Sequence, residues 1–433
     1  MRSARCSCNG SQNFLQSRHD DSPGGSVVLK ADAICEFLKI DFSGETMLET
    51  ADAVVIGGGI LGVSTAYHLG KLGFGKVAVL EKHTLGSGST GKSAAVVRTF
   101  YSNDVFVRLA KRGLAMFENF QEELGEDVGF KRIGYMVITD RPSSIDHVLD
   151  LHHRHGLKSE KLTPADIEKI MPHMNVEDVA AAGYEPNSGF ADPHLTVAAL
   201  VQKGRERGLT VFQKSEAERI NVRGSKIESV ASTRGIISTR VVVNAGGPWA
   251  TRIHQFPEIP LSLRLSREQD CVFDSPEEFK NNPVVSDSIL GSYSRSDVGG
   301  KLLAGLGYPK EEEPCDPDHY DERADDSFIA KVTGYLVKRF PALNGAKVRH
   351  GWAGLYTITP DWHPIVGRAP GIDGYYLAVG GSGHSFKIGP AMGEALAQMI
   401  AGRKPDIDIA PLRYERFQEN QTFTSVWGSG NRA

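Results

Sequence analysis

The sequence predicts an α/β fold, because one strand–glycine–helix pattern occurs near each end of the chain. The first is the apolar run Ala53–Ile56, followed by three glycines and by helical apolar spacing over residues 60–72. The second is the run Tyr375–Val379, followed by glycines and a helix predicted over residues 388–400. Short apolar runs that end in glycine are typical of buried parallel strands.

The elements between these two patterns alternate between helix and strand. Residues 76–81 form the next apolar strand, which completes a βαβ unit of about 30 residues. Asp192 precedes Pro193 and is a suitable cap for a helix over residues 195–208. The other predicted helices are 106–124, 145–155 and 325–340, and the other predicted strands are 210–212, 219–223, 226–232, 236–244 and 292–308.

Composition excludes several classes of protein. The 433 residues are 40% hydrophobic and 24% charged, which is usual for a globular protein. The net charge of −4 gives no electrostatic basis for binding nucleic acid. The longest uncharged stretch, residues 53–70, is broken by glycines, so we expect no membrane span. The five cysteines are scattered, so we expect no disulfide framework and no metal site.

Residues 1–48 differ from the rest of the chain. Residues 1–19 contain arginines and serines but no acidic residue. We expect a poorly ordered leader, and an over-long start before Met47 explains it equally well. The expected location is cytoplasmic, and mitochondrial targeting by residues 1–46 is the less favoured alternative.

The first glycine turn fits the dinucleotide-binding pattern GxGxxG. Gly57 permits the tight turn, Gly59 lets a pyrophosphate approach the backbone, and Gly62 lets helix and strand pack closely. Glu81 ends the second strand, where a carboxylate would bind ribose hydroxyls. Because the strand, the glycine turn, the helix and the acidic residue follow in the order that the fingerprint requires, dinucleotide binding is the favoured interpretation.

A second motif competes with the first. Residues 86–93, GSGSTGKS, match the P-loop pattern GxxxxGK[ST] letter for letter. A true P-loop directly follows its strand and opens a helix, whereas residues 83–85 intervene here and β-branched residues follow. An ATPase is therefore a minor alternative.

Four segments in order resemble a known family. They are residues 54–62 with Glu81, 241–249 (VVVNAGGPW), 352–356 (WAGLY) and 381–387 (GSGHSFK). Together, over residues 51–417, they resemble the FAD-dependent D-amino-acid oxidase superfamily, in particular its branch of sarcosine oxidase β-subunits and dimethylglycine dehydrogenases. The resemblance implies a glutathione-reductase-like Rossmann domain for FAD, interleaved with a mixed, mostly antiparallel α+β substrate domain.

The resemblance also implies domain boundaries and cofactor contacts. The FAD domain would comprise residues 49–100, 190–250 and 350–405, the substrate domain 101–189 and 251–349, and a C-terminal tail 406–433. The implied FAD contacts are Gly57, Gly59, Ile60, Leu61, Gly62, Glu81, Lys82, Ser89, Thr90, Ala245, Gly246, Trp249, Gly354, Gly381, Gly383, His384, Ser385, Phe386 and Lys387.

Five residues are implied in catalysis. Arg98 and Lys387 fall where family members hold the substrate carboxylate, and surface salt bridging is the alternative for each. Tyr356 and His384 would face the flavin, with a packed aromatic and a structural, backbone-bonded histidine as alternatives. Tyr293 would cover the substrate.

Three departures from the family refine this expectation. Some relatives attach FAD through a cysteine at the position of Gly354 or a histidine at that of Lys92, so we expect non-covalent FAD. Monomeric sarcosine oxidases carry a lysine over the flavin that promotes reaction with oxygen. The best register places Leu303 at this position, and Lys301 fits only after a slip of two residues. A dehydrogenase is therefore an alternative to an oxidase.

The implied activity is oxidation of a C–N bond in a small amino acid or N-methyl amino acid such as sarcosine, dimethylglycine or glycine. A hydride equivalent would pass to flavin N5, and water would hydrolyse the resulting imine. Oxygen or an electron-transfer protein would accept the electrons. Association with a partner subunit and formation of a homo-oligomer are both compatible with the sequence. The alternative from another class is a flavin-binding assembly or chaperone protein without amine turnover.

Overall fold

The computed structural model describes residues 49–256, 258–308 and 311–425. The expectations for a leader and for its cysteines concern residues 1–48, which lie outside these ranges. Within the described ranges, every helix is too short or too polar to span a bilayer. The same ranges contain no group of three or more His, Cys, Asp or Glu side chains placed to hold a metal ion.

The described residues form the following strands and helices. In chain order, the strands are β1 (Ala53–Ile56), β2 (Val77–Leu80), β3 (Val96–Val97), β4 (Lys131–Arg132), β5 (Tyr135–Thr139), β6 (Glu160–Leu162), β7 (Ala181–Glu185), β8 (Gly189–Phe190), β9 (Leu209–Phe212), β10 (Ala217–Arg223), β11 (Lys226–Ser232), β12 (Gly235–Ser238), β13 (Val242–Asn244), β14 (Arg264–Asp274), β15 (Val284–Asp287), β16 (Ser292–Asp297), β17 (Lys301–Leu306), β18 (Val348–Ile358), β19 (Ile365–Arg368) and β20 (Tyr375–Val379). The α-helices are α1 (Ile60–Lys71), α2 (Asp104–Leu124), α3 (Ser143–Arg154), α4 (Pro164–Ile170), α5 (Pro193–Arg205), α6 (Ala250–Ile253), α7 (Asp326–Arg339) and α8 (Ser385–Ile400).

A six-stranded sheet with the order β19-β20-β13-β1-β2-β9 contains both strand–glycine–helix patterns. Its neighbouring strands pair in parallel, except for the antiparallel edge strand β19. Val54 and Ile56 on β1 pack in one apolar cluster with Ile227 and Ile237, so the small antiparallel sheet β10–β12 covers one face. The mixed α/β class that the sequence predicts is confirmed.

The helices of the two patterns pack closely on the parallel sheet. A Cβ atom on Gly393 of α8 would lie 2.6 Å from the Cβ atom of Ser64 on α1. One on Gly389, a turn earlier, would lie 3.0 Å from Ile60. These glycines let the two helices approach, which brings the two strand–glycine–helix patterns together although they lie over 300 residues apart.

An eight-stranded, mostly antiparallel sheet has the order β18-β14-β17-β16-β15-β5-β7-β6. Alternate residues on its strands face opposite sides. Cys271 and Ala304 pack with Val332 and Leu336 of α7 in an apolar core on one side. The neighbours of these two strand residues therefore face the other side.

The two large sheets take their strands from alternating segments of the chain, as the predicted domains do. Strand β18 crosses the predicted boundary at residue 350, because it pairs with β14 in the eight-stranded sheet over its whole length. The domain boundaries otherwise stay a prediction. Residues 406–425 pack on the body through Arg416, which is fully buried and pairs with Asp361 at 2.9 Å.

Candidate active site

A cavity of about 1730 Å³ lies between the carboxyl ends of the parallel strands and the eight-stranded sheet. Ile56, Leu80 and Val379, which end three parallel strands, line it together with Gly354 and Tyr356 of β18. Typical small-molecule sites have about 300–1,000 Å³, so this cavity is large enough for a dinucleotide and a second ligand. Of the site residues that the sequence predicts, Gly62 and His384 alone do not line it.

The glycine turn after β1 leaves no room for side chains. Gly57 has a φ of +114°, and a Cβ atom on it would lie 2.3 Å from the carbonyl oxygen of Ala245. A Cβ atom on Gly62 would lie 2.0 Å from the carbonyl oxygen of Gly57. Gly62 therefore acts by packing helix against turn, while the backbone of residues 57–59 lines the cavity.

Glu81 stands beside this turn and orders the loop that follows β2. Its carboxylate accepts hydrogen bonds from the backbone N–H groups of Gly58 and His83, both at 2.7 Å. Burial raises the pKa of the Glu81 carboxyl, and these two hydrogen bonds oppose that shift. The carboxylate is thus held at the cavity wall, where the fingerprint places a ribose-binding group.

The P-loop-like segment forms turns over the dinucleotide motif and is followed by no helix up to residue 97. The backbone N–H of Ile60 donates to the Thr90 hydroxyl at 3.1 Å, and the Ser89 hydroxyl donates to the Leu355 carbonyl oxygen at 2.6 Å. This segment therefore joins the turn after β1 to strand β18.

Residues 311–325, which we call the strap, cross the dinucleotide end of the cavity. Asp318 of the strap accepts hydrogen bonds from Trp249 at 2.8 Å and from Lys82 at 3.1 Å, and it pairs with Arg252. Although partial burial opposes the shift, these donors hold the pKa of Asp318 far below its usual range. Lys82 and Trp249, predicted as cofactor contacts, thus also anchor the strap, which the sequence did not indicate.

The second glycine segment, residues 380–383, lines the part of the cavity that we call its other end. Ser382 has a φ of +43° and Gly383 one of +81°, and helix α8 begins at Ser385, after His384 as the N-cap residue. The backbone N–H of Ser382 donates to the Thr357 carbonyl oxygen at 2.9 Å, which links the segment to β18. Lys387 lies in the first turn of α8, is 8% exposed and lines the cavity.

Arg98 lines the same end of the cavity. Its guanidinium lies 4.6 Å from the centre of the Tyr101 ring and 5.4 Å from that of Tyr135, and it donates to the carbonyl oxygen of Phe100. The neighbouring Thr99 is held by the buried Glu185, whose carboxylate accepts its backbone N–H at 3.0 Å. The Arg98 side chain is therefore oriented by aromatic faces and a braced backbone.

Tyr293 also lines this end of the cavity, and its hydroxyl donates to a carboxylate oxygen of Asp270. Asp270 is 7% exposed and lines the cavity as well. Sequence reasoning missed Asp270, because its strand carries several charged residues and no motif marks one of them. Tyr135 and Val137 of β5 were missed as well, because their strand is mostly apolar and no motif marks them.

A model of the FAD-dependent oxidoreductase family (DAO) matches residues 52–399. The chain belongs to this family. FAD is the cofactor of the family, and the residues present fit it: a side-chain-free turn for the pyrophosphate, a carboxylate at the end of β2, and a cavity of matching size.

Three comparisons describe its relationships within the DAO family. The chain is 27% identical over 444 residues to mitochondrial sarcosine dehydrogenase from Mus musculus, covering 98% of this chain but 46% of that protein. It is 29% identical to the sarcosine oxidase subunit beta of Arthrobacter sp, covering 85% of this chain and 91% of that one. The L-proline dehydrogenase structure from P. horikoshii is 29% identical with a TM-score of 0.81, covering 87% of this chain and all of that chain.

The two positions that carry covalent FAD links in some DAO relatives lie side by side here. A Cβ atom on Gly354 would lie 2.9 Å from the Cβ atom of Lys92. Lys92 itself points to the strap, where its ammonium lies 2.6 Å from Glu322 and 2.5 Å from the Tyr320 hydroxyl. Neither position offers a cysteine or histidine nucleophile.

His384 does not line the cavity, although the family resemblance implies that it faces the flavin. It is fully buried, and its ring nitrogens lie 3.1 Å from the Tyr101 hydroxyl and 3.0 Å from the Trp362 carbonyl oxygen. This geometry supports the structural, backbone-bonded alternative. Tyr101 stacks on the His384 ring and also faces Arg98, so the histidine braces the wall behind the cavity.

Lys301 lies outside the cavity. Its ammonium is 2.5 Å from the carboxylate of Asp274 at the far end of the β14–β17 pair. Leu303 is buried and does not line the cavity either, whereas Gly305, two residues on, faces Asp270 and Tyr293.

Proposed function

We propose that this protein oxidises the C–N bond of a small amino acid or N-methyl amino acid with FAD as electron acceptor. The observation that carries the proposal is that Arg98 and Lys387 line one end of a single cavity, beside Tyr356 and the second glycine segment. The arrangement favours a ligand with a carboxylate at this end. The names of the sarcosine-oxidising relatives, which act on an N-methyl amino acid, support the same class.

Each residue at this end would have its own role in the reaction. The Arg98 fork and the Lys387 ammonium would bind the carboxylate by charge-assisted hydrogen bonds, which fixes the orientation of the α-carbon. Phe100, Tyr135 and Val137 would exclude water from the reacting carbon, since all three line the cavity. When bound, FAD supplies a two-electron acceptor for the C–H bond next to the amine. The imine product would then be hydrolysed by water.

We propose that FAD is held without a covalent link. The backbone of residues 57–59, Glu81 and Thr90 would hold the dinucleotide, and the N-terminus of α8 would face the flavin. Partial positive charge at a helix N-terminus stabilises negative charge nearby. Since neither Gly354 nor Lys92 is a cysteine or a histidine, we expect intact FAD to be released on denaturation.

We propose a dehydrogenase in preference to an oxidase. The oxygen-promoting lysine of monomeric sarcosine oxidases has no counterpart on β17, because Lys301 is paired with Asp274 outside the cavity. The acceptor would then be an electron-transfer protein or another non-oxygen acceptor. The chain spans less than half of the sarcosine dehydrogenase it matches, so a larger assembly is compatible with this proposal.

Anaerobic flavin reduction tests the proposed function. The FAD-loaded protein is mixed without oxygen with sarcosine, dimethylglycine, glycine, proline and D-amino acids, and absorbance of the flavin is followed near its visible maximum. We expect bleaching by at least one of them and slow recovery of colour in air. Full flavin occupancy without bleaching by any member of the panel would favour the assembly-protein alternative, and fast recovery would indicate an oxidase.

A further inference from the structure

Thr99 lies between two residues that line the end of the cavity holding Arg98 and Lys387, which we call the substrate end. The Arg98 guanidinium donates a hydrogen bond to the carbonyl oxygen of Phe100, two residues further along the chain. Because Thr99 connects the two, its backbone conformation decides whether the guanidinium and this carbonyl oxygen meet. The position of the Arg98 guanidinium therefore depends on how Thr99 is held.

Each hydrogen-bonding group of Thr99 is bound by one of two buried side chains. Its backbone N–H donates to Oε2 of Glu185 at 3.0 Å, and its hydroxyl donates to Oε1 of the same carboxylate at 2.5 Å. Its carbonyl oxygen accepts a hydrogen bond from Nε2 of His152 at 2.9 Å. Glu185 ends strand β7 and His152 belongs to helix α3, so two elements distant in the chain from Arg98 fix this one residue.

The Glu185 carboxylate acts mainly on Thr99. Among the described residues, two of its hydrogen bonds come from Thr99, and the Ser188 hydroxyl donates another at 2.7 Å. Burying an ionised carboxylate costs free energy unless hydrogen bonds offset the loss of water, and hydrogen bonds to a charged group are stronger than neutral ones. Glu185 does not line the cavity, so it does not reach a substrate bound there.

We propose that Glu185 is the positioning residue of Arg98: by fixing Thr99, it holds the guanidinium where the substrate carboxylate binds. This inference rests on the proposed function, which assigns the carboxylate to Arg98, and adds to it a residue outside the cavity. Hydrogen bonds weaken steeply when their angle or distance departs from the optimum. A guanidinium displaced by loss of the clamp would therefore bind the substrate carboxylate less tightly.

The test is a double-mutant cycle of Glu185→Ala and Arg98→Met in the FAD-loaded protein. Calorimetry gives the Kd of butanoate for all four proteins, and anaerobic flavin reduction gives the half-saturating concentration of an amino acid that reduces the wild-type flavin. The ratio of flavin to protein absorbance checks that FAD is retained. Glu123→Ala is the control, because the Glu123 carboxylate binds the Tyr67 hydroxyl at 2.9 Å outside the cavity.

We expect Glu185→Ala to raise both values about tenfold when Arg98 is present, since hydrogen bonds to a charged group are weakened. In the Arg98→Met background the same change should alter them less than about twofold, because a residue that acts through Arg98 has no effect once the guanidinium is removed. Glu123→Ala should behave like the wild type. Equal losses in both backgrounds, or wild-type values in Glu185→Ala, would overturn the inference.

Glu185→Gln is the conservative variant. Burial lowers the pKa of His152, although the Glu185 carboxylate opposes this shift, and Nδ1 of the neutral ring lies 3.6 Å from Oε1 of Glu185. An amide could donate to this nitrogen and still accept the Thr99 N–H. Both values should therefore stay within about threefold of the wild type. A Glu185→Gln protein as impaired as Glu185→Ala would contradict the hydrogen-bonding role.

Two further outcomes are decisive. If Glu185→Ala does not retain FAD, Thr99→Val replaces it in the cycle, because it keeps the carboxylate and the backbone N–H and exchanges only the hydroxyl for a methyl group. The inference then predicts an increase of about threefold in the Kd of butanoate that is absent in the Arg98→Met background, and wild-type values would refute it. If no amino acid reduces the wild-type flavin, the proposed function fails, whereas the butanoate cycle still decides this inference.

Discussion

The two ends of the cavity are built in different ways. The dinucleotide end consists of backbone: the turn at residues 57–59, the close contact between Gly57 and Gly62, and N–H groups that bind Glu81. The substrate end consists of side chains from distant parts of the chain, among them Arg98 after β3 and Asp270 on β14. The first end thus relies on features that many dinucleotide sites share, whereas the side chains of the other end are specific to the second ligand.

The largest effect is expected at the dinucleotide end. A Cβ atom in Gly62→Ala would overlap the Gly57 carbonyl oxygen, and overpacking costs about 1–3 kcal/mol, so we expect about 100-fold weaker FAD binding. The ratio of flavin to protein absorbance measures it, with circular dichroism as a check on folding. Gly334→Ala is the control, because a Cβ atom there meets nothing within 4 Å. Wild-type FAD affinity in Gly62→Ala would refute the assignment of the turn.

An intermediate effect is expected at the substrate end. Arg98→Met and Lys387→Met should each raise the half-saturating amino-acid concentration about 10–100-fold, since a hydrogen bond to a charged group is worth about 1.5–3 kcal/mol. Both proteins should stay yellow, because the glycine turn, Glu81 and Thr90 are unchanged in them. Arg132→Met is a control outside the cavity, where Arg132 pairs with Glu118. If a variant lost FAD while its half-saturating amino-acid concentration stayed unchanged, the assignment of the two ends would be reversed.

The smallest effect is expected in the strap. Asp318→Asn weakens the contacts to Lys82 and Arg252, and partly exposed ion pairs contribute about 0.2–1 kcal/mol each, so FAD should dissociate about three- to tenfold faster. Stopped-flow fluorescence of released FAD measures the rate. Asp321→Asn, which alters the exposed pair with Arg323 on the same strap, is the matched control. Identical rates in both variants would show that Asp318 does not secure the cofactor.

The difference between the two ends of the cavity also explains which parts of the fold and site could be predicted from the sequence. The turn, Glu81 and the α1 and α8 helices follow from local patterns, because glycine spacing and apolar periodicity act within a few residues. Asp270 could not be found in this way, since strand pairing across β14, β17 and β16 brings Tyr293 to it. The strap could not be found either, because its partners Lys82 and Trp249 lie far from it along the chain. His384 shows a third case: its motif was recognised, but the direction of its ring depends on Tyr101 and Trp362.

The central claim is that two cations hold one carboxylate at the substrate end. A double-mutant cycle of Arg98→Met and Lys387→Met, with the Kd of butanoate measured by calorimetry in all four proteins, tests it most directly. We predict that the double variant loses less affinity than the sum of the single variants, with a coupling free energy of at least about 0.5 kcal/mol. Additive losses within about 0.3 kcal/mol, or single variants that bind butanoate like the wild type, would contradict the account.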